Sequence, residues 1–326
     1  FEINQKALSK YFFEIYLKTK AFASQVVSTG STNYAAIRPY HVLNYQIPLP
    51  PLEIQNRLVN EYNNLINIAE EQEAKAKQLE QDIENYLLAE LGIEIQKTEV
   101  IKGLQLVRFK DLSRWGVENI NNNTTINCNF PLVRLTENKE FIINAFRGKS
   151  PKYSNNSKKI ILNQKCIRWN EIETKYAKTV DENWLESIDK RNFTFTNDVL
   201  INSTGEGTIG RSCVVNRNFT NLLYDSHVLL IRLNQDYFNS VFYSLIFNSL
   251  IIQNQINEVK SAQSTKQTEL GLDNFFKLYF PLPPLPIQNE IAEKIGGMRD
   301  EIKQLKTAAE ENRALAKANF EKEIFG

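Results

Sequence analysis

The loop from Arg147 to Lys159 carries residue types suited to contacting nucleic acid. It contains five lysine or arginine residues, one tyrosine ring and several amide and hydroxyl groups. Lysine and arginine bind phosphate or guanine, and asparagine pairs with the major-groove edge of adenine. The composition therefore predicts a DNA-contacting loop. A solvated, flexible loop with an asparagine-rich tip is the alternative that composition leaves open.

A second loop, residues 203–210, spaces its glycines as G-x-G-x-x-G at Gly205, Gly207 and Gly210. This spacing marks a dinucleotide site only where a helix follows, because the helix N-terminus holds the pyrophosphate. Residues 211–216 instead read as a strand, so we predict a β-hairpin whose glycines adopt positive φ. We interpret His227, at the start of another predicted strand, as a packed or hydrogen-bonded structural residue rather than a base contact.

The motifs of common catalytic sites are missing from the sequence. There is no G-x-x-x-x-G-K-[ST] loop, no Asn/Asp-Pro-Pro-aromatic motif and no Gly-x-Ser-x-Gly elbow. Glu171-Ile-Glu-Thr-Lys175 has a nuclease-like spacing but lacks a well-placed partner carboxylate for a metal ion. Three scattered cysteines and two histidines form no zinc-ligand pattern and are typical of reduced cytoplasmic thiols. We predict no catalytic residue, metal or cofactor.

The net charge of +1 is nearly neutral, but the charge is unevenly distributed. Residues 104–234 contain 19 lysine or arginine residues against 13 aspartate or glutamate residues. Residues 52–103 have the opposite bias, with 5 basic against 11 acidic residues. Phosphate binding requires a basic face rather than a basic chain. The basic central segment is therefore the predicted nucleic-acid-binding part.

An internal repeat organises the chain. Residues 48–56 return at 281–289 as a shared Pro-Leu-Pro-Pro-Leu-x-Ile-Gln-Asn motif. At the same offset Phe12 falls on Leu245 and Leu17 on Leu250, so residues 1–93 are predicted to match 234–326 without a gap. The segment between the copies has no first counterpart. We therefore expect a matching segment upstream of Phe1 in the full gene.

Each proline motif is followed by a predicted helix whose apolar residues recur at steps of four and three. This spacing is typical of a coiled-coil seam. The first helix, from about Leu52 to Leu91, would be about 60 Å long at 1.5 Å per residue. We predict that the two helices pack on each other, although packing of each helix on its own domain is an alternative. The predicted seam residues are Leu58, Tyr62, Leu65, Leu79, Ile83, Ile291, Ile295, Met298, Ile302 and Leu305.

Between the two helices the sequence is typical of short strands separated by polar turns. β-branched runs bounded by Asn, Ser, Gly and Lys predict strands near 131–135, 141–144, 159–162, 198–202, 213–215 and 227–232. Residues 237–256 predict one amphipathic helix. The fold class is therefore α+β: mixed α/β recognition domains joined by two long helices packed as an antiparallel coiled coil. No apolar run is long enough to span a membrane.

The duplicated unit of a β-rich domain, Ser-Thr, the proline motif and a long helix resembles the specificity subunit of type I restriction-modification systems. Gly148-Lys-Ser-Pro151, Ile167-Arg-Trp-Asn170 and residues 199–210 also resemble its target recognition domain. The resemblance implies residues 1–50 as the end of a first recognition domain, 51–103 as a central spacer helix, 104–285 as a second recognition domain and 286–326 as a C-terminal spacer helix.

The resemblance also implies partners. A specificity subunit of this family reads a split site in double-stranded DNA, docks methyltransferase subunits on its helices and, through them, joins the nuclease-translocase subunits. It is not itself an enzyme, and self-association through the helices is a further expectation. The candidate DNA-contacting residues are Lys149, Lys152, Tyr153, Asn155, Arg168, Asn202, Thr204, Arg211, Ser264, Thr265 and Lys266.

Two other functions fit the same pattern. The chain fits the C-terminal recognition region of a fused restriction enzyme and methyltransferase, with catalytic motifs upstream. It also fits a coiled-coil adaptor that binds only protein. The first is distinguished by the gene sequence before Phe1, and the second by a test of selective DNA binding.

Overall fold

A computed structural model describes residues 3–26, 37, 39–95, 126–259, 261–262 and 268–326 of the chain. The helices in these residues are α1 (Lys10–Tyr16), α2 (Lys20–Ala23), α3 (Pro39–Leu43), α4 (Leu52–Leu91), α5 (Glu182–Glu186), α6 (Ser240–Asn248), α7 (Leu250–Val259), α8 (Leu272–Phe275) and α9 (Leu285–Phe325). None of the helices within these ranges is both long and apolar enough to cross a bilayer.

The strands are short. They are β1 (Glu94–Ile95), β2 (Ile126–Asn127), β3 (Leu132–Val133), β4 (Ile142–Arg147), β5 (Ile160–Leu162), β6 (Ile167–Arg168), β7 (Glu171–Ile172), β8 (Lys178–Thr179), β9 (Val199–Asn202), β10 (Ser212–Val214), β11 (Leu223–Tyr224), β12 (Val228–Leu233), β13 (Ser261–Ala262), β14 (Thr268–Glu269) and β15 (Phe280–Pro281). Residue contacts divide the chain into a first unit, 1–82 with 297–326, and a second unit, 83–296.

The long helices α4 and α9 begin at the repeated proline motif. Proline fits the first turn of a helix because its missing N–H would have no partner there. Helix α4 is followed by Gly92, whose φ of +61° is the left-handed conformation common just after helices. These bounds confirm the two predicted long helices.

Helices α4 and α9 run antiparallel within the first unit. Arg57, near the start of α4, pairs with Glu323 near the end of α9 at 3.0 Å. Further along, Lys75 pairs with Glu301 at 2.7 Å. Because the partner number falls as the α4 number rises, the helices point in opposite directions. The predicted fold class, a mixture of helix and sheet with two long antiparallel helices, is therefore confirmed.

The predicted seam of the two helices is buried to different degrees along its length. Leu58, Ile291, Ile295 and Ile302 are buried, and the other predicted seam residues are half-buried. Several of the buried positions are alanines, namely Ala69, Ala76, Ala309 and Ala316. The seam therefore combines large apolar side chains with small ones.

A four-stranded antiparallel sheet, in the order β10-β9-β12-β4, forms the centre of the second unit. Strand β9 is buried on both faces, as is most of β12, which explains their continuous apolar sequence. One face packs against α6 and α7, with Phe242, Ile246 and Ile252 in the core. A second sheet, β11-β5-β8, lies next to this core and carries the loop that follows β4.

The prediction of a single helix over residues 237–256 was wrong. The structure has two helices, α6 and α7, separated by Ser249, which is extended at φ −72° and ψ 158°. Its hydroxyl donates to the carbonyl oxygen of Ile246 at 2.7 Å. A serine hydroxyl that bonds local backbone in this way competes with the helix, so the apolar periodicity continues while the helix does not.

The two copies of the repeat share the same set of hydrogen bonds from one glutamine of the proline motif. In the first unit, Gln55 accepts from the N–H of Ser9 at 2.7 Å and donates to Ala7 and Pro50 at 2.9 and 2.7 Å. In the second unit, the buried Gln288 accepts from Asn239 N–H at 2.8 Å and donates to Tyr237 and Pro283 at 2.9 and 2.8 Å. The motif glutamine thus fixes the start of each long helix to the start of an earlier helix, α1 in the first unit and α6 in the second.

These contacts correct the ungapped alignment of the two copies. Gln55 and Gln288 differ by 233 positions, whereas Ser9 and Asn239 differ by 230. Phe12 therefore corresponds to the buried Phe242 and not to Leu245. The side chain of Gln25 bonds the backbone of Gln46, and that of Gln255 bonds the backbone of Tyr279 in the same way. The offset is therefore 230 at Gln25 and 233 at Gln46. Three extra residues in the second copy, between Gln255 and Tyr279, account for the change.

Candidate nucleic-acid interface

The loop that follows β4 is held by backbone hydrogen bonds along much of its length. Gly148 N–H donates to the carbonyl oxygen of Val228 at 2.9 Å, and Asp181 N–H donates to that of Lys152 at 2.9 Å. The N–H of Ser154 donates to Thr179 at 3.2 Å, and the Thr179 hydroxyl returns a bond to Ser154 at 2.6 Å. These bonds favour a positioned loop over the flexible alternative.

The polar side chains of this loop face solvent. Lys149, Lys152, Tyr153 and Asn155 are all exposed. The ammonium group of Lys178, on β8, lies 4.8 Å from the ring centroid of Tyr153. A cation over a ring holds the aromatic side chain at the surface. The loop thus presents positive charge, an aromatic ring and an amide side by side.

Gly148 lies where no side chain fits. A Cβ at this position would be 2.0 Å from the carbonyl oxygen of Asp225. We expect Gly148→Ala to lower the free energy of unfolding by about 2–3 kcal/mol, because the backbone must shift to relieve the overlap. Gly297→Ala, in α9 with open space around it, is the control. It should raise stability by about 0.5–1 kcal/mol. Thermal melting of both variants checks the prediction, which fails if their shifts have the same sign.

The β6–β7 hairpin carries a second group of cations and rings. Its turn contains Trp169, 46% exposed, and Asn170 at a φ of +59°. The Arg168 guanidinium lies 4.8 Å from the Tyr176 ring centroid and donates to Glu173 at 3.3 Å. Hydrogen bonding from Lys175, followed by the charges of Lys175 and Arg168, lowers the pKa of Glu173. This carboxylate therefore stays ionised and neutralises part of the local positive charge.

Arg211 joins this group from the end of the glycine loop. Its guanidinium lies 5.8 Å from the Trp169 ring centroid and donates to the Gly207 carbonyl oxygen at 2.7 Å. Its buried Nε–H has no hydrogen-bond partner among the described residues. Burial, and then the charge of Arg168, lowers the pKa of Arg211. An anion bound here would favour the charged form of both guanidinium groups.

Three cation–ring contacts recur among these exposed and half-buried residues, and chain neighbours join the pairs. Tyr153 contacts Lys178, Tyr176 contacts Arg168, and Trp169 contacts Arg211. Exposed aromatic rings stack on bases or sugars, and the cations among them bind phosphate. We name this region the basic aromatic surface and define it as Lys149, Lys152, Tyr153, Asn155, Arg168, Trp169, Tyr176, Lys178 and Arg211.

Sequence reasoning missed three members of this surface, Trp169, Tyr176 and Lys178. A tryptophan between arginine and asparagine in a short hairpin was the available signal for the first. The other two depend on strand pairing, because β8 brings Lys178 opposite Ile161 and beside Tyr153. That pairing joins segments with no sequence pattern in common.

Two predicted contact residues are buried instead. Asn202 is 0% exposed, and its amide donates to the carbonyl oxygens of Gln164 and Ile167 at 2.9 and 3.4 Å. Thr204 is 7% exposed, and its hydroxyl lies 2.8 Å from Nδ1 of His227. Both residues hold loops together from inside, so assigning them to a DNA interface was wrong.

The glycine loop and His227 have the structural roles predicted for them. Strands β9 and β10 pair antiparallel around the loop, with Ile201 opposite Ser212. Gly205, Gly207 and Gly210 have φ of 95°, 77° and 82°. A hairpin, and not a strand-to-helix turn, therefore explains the glycines. His227 is hydrogen-bonded through Nδ1 to Thr204, and its N–H donates to Asp225 at 3.0 Å.

The remaining predictions concern residues 264–266, metal ligands and the cysteines. Ser264, Thr265 and Lys266 lie outside the described residues. Within the described ranges, no group of three or more His, Cys, Asp or Glu side chains is placed to hold a metal ion. Cys166 and Cys213 are buried free thiols, and burial raises the pKa of both. A raised pKa keeps these thiols protonated and poorly nucleophilic.

Comparison with known proteins identifies the family. The family profile for the type I restriction modification DNA specificity domain matches residues 136–311. The chain belongs to this specificity family. The matched segment contains nearly all of the second unit's described sheet and every residue of the basic aromatic surface. The resemblance inferred from the duplicated proline motif and helix is therefore confirmed. Comparison with curated protein sequences gave no significant match.

Two solved structures share the fold at low sequence identity, and a third aligns with a lower score. A structure reported for complex assembly and conformational transition of the type I R-M system is 17% identical, with a TM-score of 0.58 over 98% of this chain and 71% of that one. The S subunit from M. genitalium is 12% identical, with a TM-score of 0.51 over 98% and 74%. The HsdS subunit from Thermoanaerobacter tengcongensis is 17% identical, with a TM-score of 0.47 over 100% and 72%.

Proposed function

We propose that this chain recognises double-stranded DNA as the specificity component of a type I restriction-modification complex and is not itself catalytic. Residues 104–285 would form a target recognition domain, and residues 51–103 and 286–326 the spacer helices. Residues 1–50 would be the end of a further recognition domain. A cytoplasmic location, expected from the cysteine usage, is part of this proposal.

The observation that carries the proposal is the basic aromatic surface, since it lies in the segment matched by the specificity family. Its loop is positioned by backbone hydrogen bonds, so ordering it on DNA costs little entropy. Lysines and arginines on it suit phosphates, while the exposed Asn155, Tyr153 and Trp169 suit base edges and rings. Affinity and sequence selection would thus come from different residues of the same surface.

The two long helices would provide the docking site for methyltransferase subunits, through which nuclease-translocase subunits join. Helix α4 is acidic on its exposed positions, with Glu70, Glu71 and Glu90 facing solvent. Such a face is repelled by DNA and remains available to protein partners. This division between a DNA-facing surface and protein-facing helices supports a binding subunit over a self-contained enzyme.

Selection from pooled random duplexes tests the proposal. The purified chain is mixed with the pool, alone and with a methyltransferase subunit encoded beside it, and bound duplexes are sequenced. We expect enrichment of a defined motif, stronger with the partner present. A protein-only adaptor would enrich no motif. Methyl transfer by the chain alone, with S-adenosylmethionine and DNA, would favour the fused-enzyme alternative.

A further inference from the structure

Two of the ion pairs between the long helices share one polarity, with the acid on α4, whereas Arg57–Glu323 and Lys75–Glu301 have the opposite polarity. Glu73 of α4 binds Arg313 of α9 at 2.8 Å, and Glu80 of α4 binds Lys306 of α9 at 2.6 Å. At the repeat offset of 233, Glu73 corresponds to Lys306 and Glu80 to Arg313. The two pairs are therefore repeat-related copies of one contact. In both copies α4 supplies the acid and α9 supplies the base.

At the positions of these two pairs, the polarity disfavours pairing of either helix with its own kind. If α4 paired with α4 of a second copy in the same antiparallel register, Glu73 would lie opposite Glu80 twice. If α9 paired with α9, Lys306 would lie opposite Arg313 twice. Like charges placed opposite each other repel and select against the wrong partner. Only the α4–α9 pair brings opposite charges together at both positions.

A polar contact in the seam independently favours pairing of α4 with α9. Asn312 Nδ2 donates to Gln72 Oε1 at 3.0 Å, and both residues are half-buried. Their repeat counterparts are Leu79 for Asn312 and Leu305 for Gln72. In an α4–α4 pair each Gln72 would therefore face Leu79 without a partner. A single polar residue in a coiled-coil seam fixes register and partner choice in this way.

We propose that Glu73, Glu80, Gln72 and their α9 partners form a pairing code that makes α4 select α9 and reject a second copy of itself. A helix that replaced α9 would need cations at the positions of Lys306 and Arg313 and an amide at that of Asn312. The proposal does not depend on DNA binding. It opposes one form of the expected self-association through the helices, namely pairing of α4 with α4 of a second copy.

Reversing one charge on α4 should allow α4 to pair with α4 of a second copy of the chain. In Glu73→Arg the new arginine faces Arg313 within the native pair, but it faces Glu80 of a second copy in an α4–α4 pair. We expect the dissociation constant of the full-length dimer, measured by sedimentation, to fall at least about tenfold relative to Glu71→Arg. Glu71 is exposed on the same helix and makes the matched control.

Two further variants keep the test decisive. Adding Arg313→Glu to Glu73→Arg restores the native ion pair with reversed polarity, and should return association to the level of the control. Gln72→Leu changes no charge and replaces the amide–leucine mismatch of an α4–α4 pair by two leucines, so it should also strengthen the dimer. Equal association of Glu73→Arg, Gln72→Leu and the control would overturn the proposal. Failure of Arg313→Glu to reverse the first change would overturn it too.

Discussion

Alanine at both Lys149 and Lys152 should weaken DNA binding by about 60-fold at 0.1 M salt and flatten its salt dependence. Each phosphate neutralised contributes about 0.9 to the slope of log affinity against log salt, so loss of two contacts removes about 1.8. Both ammonium groups are exposed on a loop whose backbone is held in place, so their removal leaves the fold intact. Fluorescence anisotropy with a labelled random-sequence duplex, from 0.05 to about 0.3 M salt, measures both quantities.

The matched control removes the same charge from elsewhere in the domain. Lys139 precedes β4 at the end opposite Lys149, and Lys277 lies just after α8. Alanine at both positions lowers the net charge equally but removes no proposed phosphate contact. Its slope should stay within about 0.5 of the original chain. Equal slopes for the two double variants would show that charge in general, and not this loop, governs binding.

Asp198→Ala should be the most destabilising of the substitutions considered for the second unit. The carboxylate is 1% exposed and receives two bonds from Arg232, at 2.7 and 2.8 Å, and one from Phe195 N–H at 2.7 Å. Its removal leaves a mostly buried guanidinium without its counter-charge. Loss of one partner from a buried ion pair costs about 3–5 kcal/mol. Urea unfolding followed by circular dichroism measures the change.

An exposed pair of the same chemistry supplies the control for this prediction. Asp189 also makes a two-bond contact with Arg191, at 3.0 and 2.6 Å, but both side chains are open to solvent. Water replaces the lost arginine there, and the carboxylate also accepts the N–H of Arg191 at 2.9 Å. Asp189→Ala should therefore cost only the modest stability of a helix cap, far less than Asp198→Ala. If the two alanine variants unfolded at the same urea concentration, burial would not be the source of the Asp198 contribution.

The sequence predicted the long helices well because their signals are local and repeated. Proline at the helix start, glycine after α4 and steps of four and three each act within a few residues. Strand positions in the second unit were also predictable from their β-branched runs. The break at Ser249 was not, because one serine hydroxyl bonded to the backbone changes no apolar spacing.

The contact candidates show the limit of composition as a guide. Lys149, Lys152 and Tyr153 lie in a loop rich in charge and proved exposed. Asn202 and Thr204 have residue types equally suited to DNA, but each belongs to a strand end whose neighbours close over it. Burial depends on tertiary pairing between segments far apart in sequence. A single sequence carries little of that information, so polar residues at strand ends were assigned wrongly.

Repeat alignment had a similar limit. The motif glutamines fixed one offset, and apolar residues farther upstream matched well enough at that offset to conceal a shift of three. Helical periodicity tolerates such a shift because apolar residues also recur at three-residue spacing. The hydrogen bonds of Ser9 and Asn239 to their glutamines distinguish the two offsets, and only the folded chain contains them.

Site-specific photo-crosslinking tests the central claim most directly. A benzophenone amino acid is placed at Tyr153 or Trp169 on the basic aromatic surface, or at Val241 on α6, which is 42% exposed in the same unit. Each protein is irradiated with the duplex recovered by selection. We predict covalent DNA adducts from the first two positions and few from the third. Adducts from Val241, with none from Tyr153 or Trp169, would contradict the account.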